Sequence, residues 1–164
     1  MVSSRLDIFD VVIELALRTD VQDAQGCAEL FTEGATLTTS VRGTVVDGPV
    51  VGRSRLLERF EARKTLRGEA RLRHVLSNFI LRDHTLDSAT VLSYMTLIVT
   101  TDDGSQVHST AMNRDMLVLE DGRWLIQSRN IDFDAASSPV LPVAQRPSNS
   151  SPLIDEAERA LNNG

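Results

Sequence analysis

The sequence predicts an α+β fold in which N-terminal helices pack on one face of a curved antiparallel sheet. Helical periodicity is concentrated early in the chain, with helices expected over residues 4–18, 24–31 and 55–64. From residue 70 onward the pattern is that of β-strands separated by turn signals. A chain that forms helices first and β-hairpins afterwards has the α+β arrangement. A strongly bent sheet that wraps over such helices encloses a conical pocket.

Apolar spacing and capping residues predict the first elements. In the first helix, four apolar side chains recur at helical spacing and are expected to face the core: Leu6, Phe9, Ile13 and Leu17. Asp23 is expected to cap the second helix, and Gly34 to follow its end. Short strands are predicted over residues 35–41 and 44–46, with a loop over residues 47–49.

The second half of the domain is predicted to be four long strands, over residues 70–82, 89–101, 106–119 and 123–133. A two-residue turn at residues 121–122 fixes the register of the last two strands. That register sets Asp115 opposite Ser128 and Arg114 opposite Arg129. Two adjacent guanidinium groups need an acidic partner or a ligand, and Asp115 and Asp132 are both candidates by proximity in the sequence.

Length and charge narrow the class of protein. The 164 residues suffice for one domain with a substantial core, and 41% of them are hydrophobic. The formal net charge of −6 argues against non-specific binding to nucleic acid or anionic membranes, which need a basic surface. No run approaches the roughly 20 apolar residues of a membrane span, and acidic residues interrupt the N-terminal apolar pattern. We therefore expect a cytoplasmic protein.

The residue types present also bear on cofactors. The single cysteine, Cys27, excludes an internal disulfide, and its apolar helical setting favours a structural thiol. The three histidines lack a metal-ligand spacing, and no phosphate-binding Gly loop occurs. We expect no metal and no cofactor. His84 and His108 are expected at the surface.

The composition changes after residue 134. Residues 135–152 contain four of the five prolines and many serines, which is typical of a linker or a wrapped arm. A short helix over residues 151–161 would present an apolar stripe to the domain or to a neighbouring subunit. We therefore expect a folded domain over residues 1–134 and a C-terminal arm over residues 135–164.

The strand over residues 70–81 carries the most informative pattern. Alternation puts five side chains on one face: Leu72, His74, Leu76, Asn78 and Ile80. Two interpretations of His74 are open. It is either a core residue held by hydrogen bonds to the backbone or to Asn78, or an acid–base group with a pKa near neutrality.

Three motifs resemble those of the SnoaL-like families of the nuclear transport factor 2-like superfamily. They occur in the same order as in those families. The first is D-x-x-D at Asp20 and Asp23, followed by Phe31, and the second is R-H-x-x-S/T-N at residues 73–78. The third is a closing hairpin with the pattern D … G-R-W-x-I … R, from Asp115 to Arg129. The resemblance covers residues 5–133. It implies a cystatin-like α+β roll with a conical pocket.

The resemblance also implies site residues. In the scytalone-dehydratase-like and bile-acid-dehydratase-like branch, the positions of Asp20 and His74 hold a catalytic pair, in which the carboxylate orients the imidazole. The other interpretation of Asp20 is a helix-end cap. The branch carries a tyrosine five residues before this aspartate, where the present chain has Leu15. The general expectation is therefore proton transfer by a His/Asp pair.

From these features we expect a cofactor-independent dehydratase, cyclase or isomerase that acts on a small polycyclic, polyketide-like or steroid-like substrate. The expected catalytic residues are Asp20 and His74, and the expected substrate-binding residues are Leu15, Asn78, Met95, Met112 and Arg129. The other class in view is a non-catalytic ligand-binding or assembly subunit, such as the small subunit of a ring-hydroxylating dioxygenase. The strand also has apolar residues opposite His74, so we expect a homodimer or homotrimer.

Overall fold

The structure is a computed structural model that describes residues 5–67, 71–102 and 104–136. The predicted helix over residues 151–161 and nearly all of the predicted arm lie outside the described residues. Within the described ranges the chain forms, in order, α1 Arg5–Asp20, α2 Ala24–Glu29, β1 Phe31–Val41, β2 Thr44–Val51, α3 Arg53–Arg67, β3 Arg71–Arg82, β4 Ser88–Thr101, β5 Gly104–Glu120 and β6 Arg123–Phe133.

The strands form one curved sheet in the order β2-β1-β6-β5-β4-β3. Neighbouring strands are antiparallel except β1 and β6, which are parallel. The sheet is not closed into a barrel, so β2 and β3 form its two edges. The three helices pack on its concave side, and the predicted α+β fold with a curved antiparallel sheet is confirmed.

The predicted bounds of the first strands were too short. The first strand already begins at Phe31, which pairs with Ile126 of β6, and it therefore includes Gly34. Gly34 thus does not terminate the second helix. The predicted loop at residues 47–49 lies within β2, because β2 pairs with β1 along most of its length. Pairing across the sheet decides these bounds more strongly than local sequence does.

The buried face of α1 differs from the predicted one. Leu6 and Leu17 are 69% and 61% exposed, whereas Ile8 and Val12 are fully buried. The helix is apolar on several sides, so its spacing alone did not identify the inward face. Asp20 is also buried and follows Val12 by eight residues, which is two steps of four along the same face of a helix. The face of α1 that packs into the core is therefore the one that carries Ile8, Val12 and Asp20.

The main core lies between the helices and the concave sheet face. Its largest fully buried members come from α1, β1, α3 and β6: Ile8, Phe31, Leu56 and Ile126. Asp23 caps α2 as predicted, because its carboxylate accepts a 2.9 Å hydrogen bond from the Gly26 backbone N–H. No helix in the described part of the chain combines the length and apolarity needed to cross a bilayer.

Two irregularities in the sheet change which side chains face inward. In β3 the pairing with β4 shifts between Ser77 and Ile80, and Asn78 adopts a positive φ of 54°. In β5 and β6 the pairing shifts between Met116 and Leu117, so Asp115 stands opposite Arg129. The predicted pairs of Asp115 with Ser128 and of Arg114 with Arg129 were therefore wrong. A β-bulge, which adds one residue to one strand, explains both corrections.

A pair of substitutions tests the inward face of α1. We expect Ile8→Ala to lower the free energy of unfolding by about 2–5 kcal/mol, because it leaves a cavity in the core. The matched change Leu17→Ala should alter it by less than about 0.5 kcal/mol, because that side chain is exposed. Urea denaturation followed by circular dichroism measures both values. A larger loss for Leu17→Ala would contradict the described face.

Candidate active site

A cavity of about 500 Å³ lies between the helices and the concave sheet face. Its walls are mainly apolar and include Leu15 from α1, Phe60 from α3, Leu72 from β3, Met95 from β4 and Ile131 from β6. Cavities of this size and character hold small organic molecules. Seven of the twenty described lining residues are polar or charged, and these side chains restrict what the cavity can bind.

Asp20 and His74 meet at this cavity although 54 residues separate them. The last residue of α1 is Asp20, and its Oδ1 lies 2.7 Å from Nδ1 of His74 on β3. The same carboxylate accepts hydrogen bonds from the His74 backbone N–H, at 3.1 and 3.2 Å. A negative charge at a helix C-terminus is unfavourable by itself. These contacts to His74 compensate it and fix the ring relative to the helix.

The geometry defines the tautomer of His74. A carboxylate only accepts hydrogen bonds, so Nδ1 carries the proton and Nε2 is left with a free lone pair. The His74 side chain is 16% exposed and lines the cavity, whereas that of Asp20 is 6% exposed. The imidazole thus presents an unprotonated nitrogen to the cavity, with a buried carboxylate behind it.

Burial keeps this imidazole neutral. Desolvation lowers the pKa of His74 below its ordinary value of 6.5, and the hydrogen bond and charge of Asp20 oppose that effect only in part. The guanidinium groups of Arg129 and Arg63 lower the same pKa further. At neutral pH His74 is therefore a base that is ready to accept a proton.

A second buried pair lies on the neighbouring strands. Arg129 lines the cavity, and its Nη1 is 3.4 Å from Oδ1 of the fully buried Asp115. Neither carboxylate oxygen of Asp115, nor Nη1 of Arg129, makes a hydrogen bond within the described part of the protein. Burial raises the pKa of Asp115 to about 6, against the opposing charge of Arg129. Arg129 therefore brings a positive charge to the cavity wall, while its Nη1 is buried beside Asp115.

The structure separates the predicted substrate-binding residues into two groups. Leu15, Met95 and Arg129 line the cavity. Asn78 does not, because the β3 bulge leaves it exposed and outside the lining. Met112 does not either, because it packs with Leu92 on the opposite face of the sheet. Asn78 and Met112 were predicted to line the substrate cavity, and neither residue does so in the structure.

Two lining residues were missed from the sequence. His108 was expected at the surface; it is exposed but lines the cavity, because the β4–β5 pairing shifts beside it between Leu97 and Ile98. Arg63 of α3 also lines the cavity. The sequence contains no signal for His108, because a bulge is not visible in the alternation of apolar and polar residues. Arg63 is one of several arginines in a polar helix, and nothing in the sequence distinguishes it from the others.

The lone cysteine lies at the cavity wall without a reactive environment. Cys27 is 1% exposed, and its sulfur is 3.5 Å from the hydroxyl of Thr19. Burial raises the pKa of the thiol, which keeps it protonated. No group of three or more potential metal ligands occurs among the described residues.

The curved sheet, the helices on its concave side and the enclosed cavity are the features of the cystatin-like, nuclear transport factor 2-like fold. The model of the SnoaL-like domain matches residues 1–130, and the chain belongs to that family. No curated protein matches the chain.

Several solved structures share the fold. A single-site variant of Rv3472, a Mycobacterium tuberculosis protein of unknown function, is 24% identical with a TM-score of 0.67, over 96% of this chain and 88% of that one. A Catenulispora acidiphila protein in complex with S-DNPA is 21% identical with a TM-score of 0.68, over 79% and 92%. The β subunit of a putative aromatic-ring-hydroxylating dioxygenase from Novosphingobium aromaticivorans is 16% identical with a TM-score of 0.68, over 87% and 95%.

The titration of His74 tests the site electrostatics. We expect NMR of the imidazole to give a pKa below 6.5, and Asp20→Asn to lower it further, because Asp20 is the main group that raises it. Asp23→Asn is a matched control that removes a nearby carboxylate and keeps a capping side chain. It should leave the value unchanged. A higher pKa in Asp20→Asn would contradict the described contact.

The buried carboxyl of Asp115 predicts a second pH dependence. Its folded pKa of about 6 lies above its ordinary value of 3.8, so the folded protein binds more protons between them. The stability that Asp115 contributes is therefore fully present below about pH 4 and is lost as the pH rises through about 6. We expect the free energy of unfolding of wild type minus that of Asp115→Asn to fall between about pH 4 and about pH 6 and to level off at higher pH. A difference that stays flat or rises between about pH 4 and about pH 6 in urea denaturation would contradict this.

Proposed function

We propose that the protein is a cofactor-independent dehydratase, cyclase or isomerase for a small polycyclic, polyketide-like or steroid-like molecule. The observation that carries the proposal is the 2.7 Å contact between Asp20 and His74 at the wall of an apolar cavity. Family membership supports the same class of site. The cavity volume of about 500 Å³ suits a fused-ring molecule.

The proposed step is a proton transfer at carbon. The free Nε2 of His74 removes a proton next to a carbonyl group, and the electron pair of the broken C–H bond forms an enolate. Asp20 stabilises the imidazolium that results, as carboxylates do in other His/Asp pairs. If the imidazolium returns the proton to another carbon, the result is isomerisation. If it instead gives the proton to a hydroxyl on the β-carbon, the enolate electrons form the C=C bond, the C–O bond breaks, and water leaves, which is dehydration.

Arg129 is the proposed electrophilic partner. Its side chain is 6% exposed and lines the same cavity as His74. A guanidinium in a low-dielectric site stabilises an oxygen that becomes negative during the reaction. Asp115 behind it balances the charge at rest. In this proposal Arg129 on β6 takes the role of the tyrosine of the dehydratase-like branch, whose position on α1 is Leu15 in this chain.

Hydrogen exchange in a probe tests the proton transfer without knowledge of the natural substrate. We expect wild type to accelerate exchange of the α-protons of 2-tetralone in D₂O, followed by NMR, above the buffer rate. His74→Gln should reduce the acceleration by about 100-fold or more, the usual share of a general base. Asp20→Asn should reduce it too, because the tautomer is no longer fixed.

His84→Gln is the matched control, because His84 does not line the cavity. It should exchange protons at the wild-type rate. Equal rates for wild type and His74→Gln, with both proteins folded by circular dichroism, would reject the proposed role of the imidazole.

A second candidate is an assembly subunit without chemistry of its own. Exposed apolar side chains on the outer sheet face, Val75 at 46% and Tyr94 at 37%, favour it. The similarity to a dioxygenase β subunit agrees with this candidate. It predicts a stable complex with a larger partner that His74→Gln does not weaken, and no acceleration of exchange by wild type.

A further inference from the structure

The basic side chains on the cavity wall have no acidic counterparts there. Three arginines and two histidines line the cavity: Arg18, Arg63, Arg129, His74 and His108. Among the described residues that line it, none is aspartate or glutamate. The chain as a whole has a net charge of −6, so this wall has the opposite sign to the average surface.

Two of the three arginines have carboxylate partners behind the wall. Arg18 donates to Glu14 at 2.7 Å and to Asp23 at 2.5 Å. Arg129 faces Asp115. Each of these cations is balanced by a fixed anion, although Nη1 of Arg129 makes no hydrogen bond to another described residue.

The remaining cation, Arg63, has no such partner. It makes no hydrogen bond or ion pair with any residue that the structure describes. The carboxylate that attracts it, Asp47, is already paired with Arg59. Arg63 is an exposed residue. Partial loss of hydration and the charge of Arg59 nevertheless lower its pKa to about 10. Arg63 therefore remains charged at neutral pH.

Arg63 combines a place on the cavity wall with a guanidinium that no described carboxylate binds, so it can form a charge-assisted hydrogen bond to an anion in the cavity. We infer that the ligand of this cavity is an otherwise apolar molecule that carries a carboxylate, and that Arg63 binds this carboxylate. The inference rests on the proposed function for the location of the ligand and adds a chemical group to it. A carboxylate matches one planar guanidinium fork, with two parallel N–H···O bonds.

The placement of Arg63 gives the ligand an orientation. Arg63 lies on α3, whereas His74 and Arg129 lie on β3 and β6. A carboxylate held from the helix side leaves the ring system against the aliphatic walls, with its reacting carbon toward the sheet. Arg63 would thus be a binding and positioning residue and would not take part in proton transfer.

A matched pair of probes tests the assignment. We expect isothermal titration calorimetry to show that wild type binds 1-naphthaleneacetate at least about tenfold more tightly than 1-naphthaleneacetamide, which has the same rings and no charge. Arg63→Gln should remove this preference, and Arg63→Lys should retain part of it. Arg55→Gln, an exposed arginine of the same helix that does not line the cavity, should bind both compounds as wild type does.

Two further measurements separate this inference from the proposed chemistry. His74→Gln should still bind 1-naphthaleneacetate more tightly than the amide. The proposed anion site is therefore tested independently of proton transfer. Arg63→Gln should not lower the melting temperature, because it removes a charge that lacks a partner. Equal affinities of the acid and the amide for wild type, binding of neither at millimolar concentration, or an undiminished preference in folded Arg63→Gln would overturn the assignment.

Discussion

The contact between the end of α1 and the edge strand β3 is the constraint on which the site depends. Asp20 is the last residue of the helix, and its carboxylate binds both the backbone N–H and the ring of His74. One side chain therefore sets the helix against the sheet and sets the tautomer of the imidazole. Because this interaction both attaches the helix to the sheet and holds the imidazole that we propose as the base, the inward face of α1 must be the one that carries Asp20.

The sequence was sufficient for the fold and for the Asp20–His74 pair, because both depend on local pattern and on motifs in order. The bounds of β6 and the capping of α2 by Asp23 were also predictable, since each follows from adjacent residues. The inward face of α1 was not, because its apolar residues surround the helix. Only the partner of Asp20 on a distant strand distinguishes one face from another.

The pairing register of the strands also could not be derived from the sequence. Strict alternation put Asn78 on the face of His74, and Met112 was expected at the cavity wall without a known register; neither residue lines the cavity. A bulge removed Asn78 from the lining, and the convex packing of Met112 with Leu92 follows from the pairing across β4 and β5. A further bulge brought Asp115 opposite Arg129 and resolved the predicted clash of two cations. One extra residue inverts the side of every following side chain, and no local signal announces it.

The position of His74 on an edge strand has a consequence for solubility. Among the residues that the structure describes, β3 pairs with β4 on one side only, so its other side presents backbone groups that could add a strand from another molecule. The carboxylate of Asp20 occupies the His74 N–H on that open side. The acid behind the imidazole thus also protects the chain against edge-to-edge aggregation, and fraying of the last turn of α1 would expose a template for it.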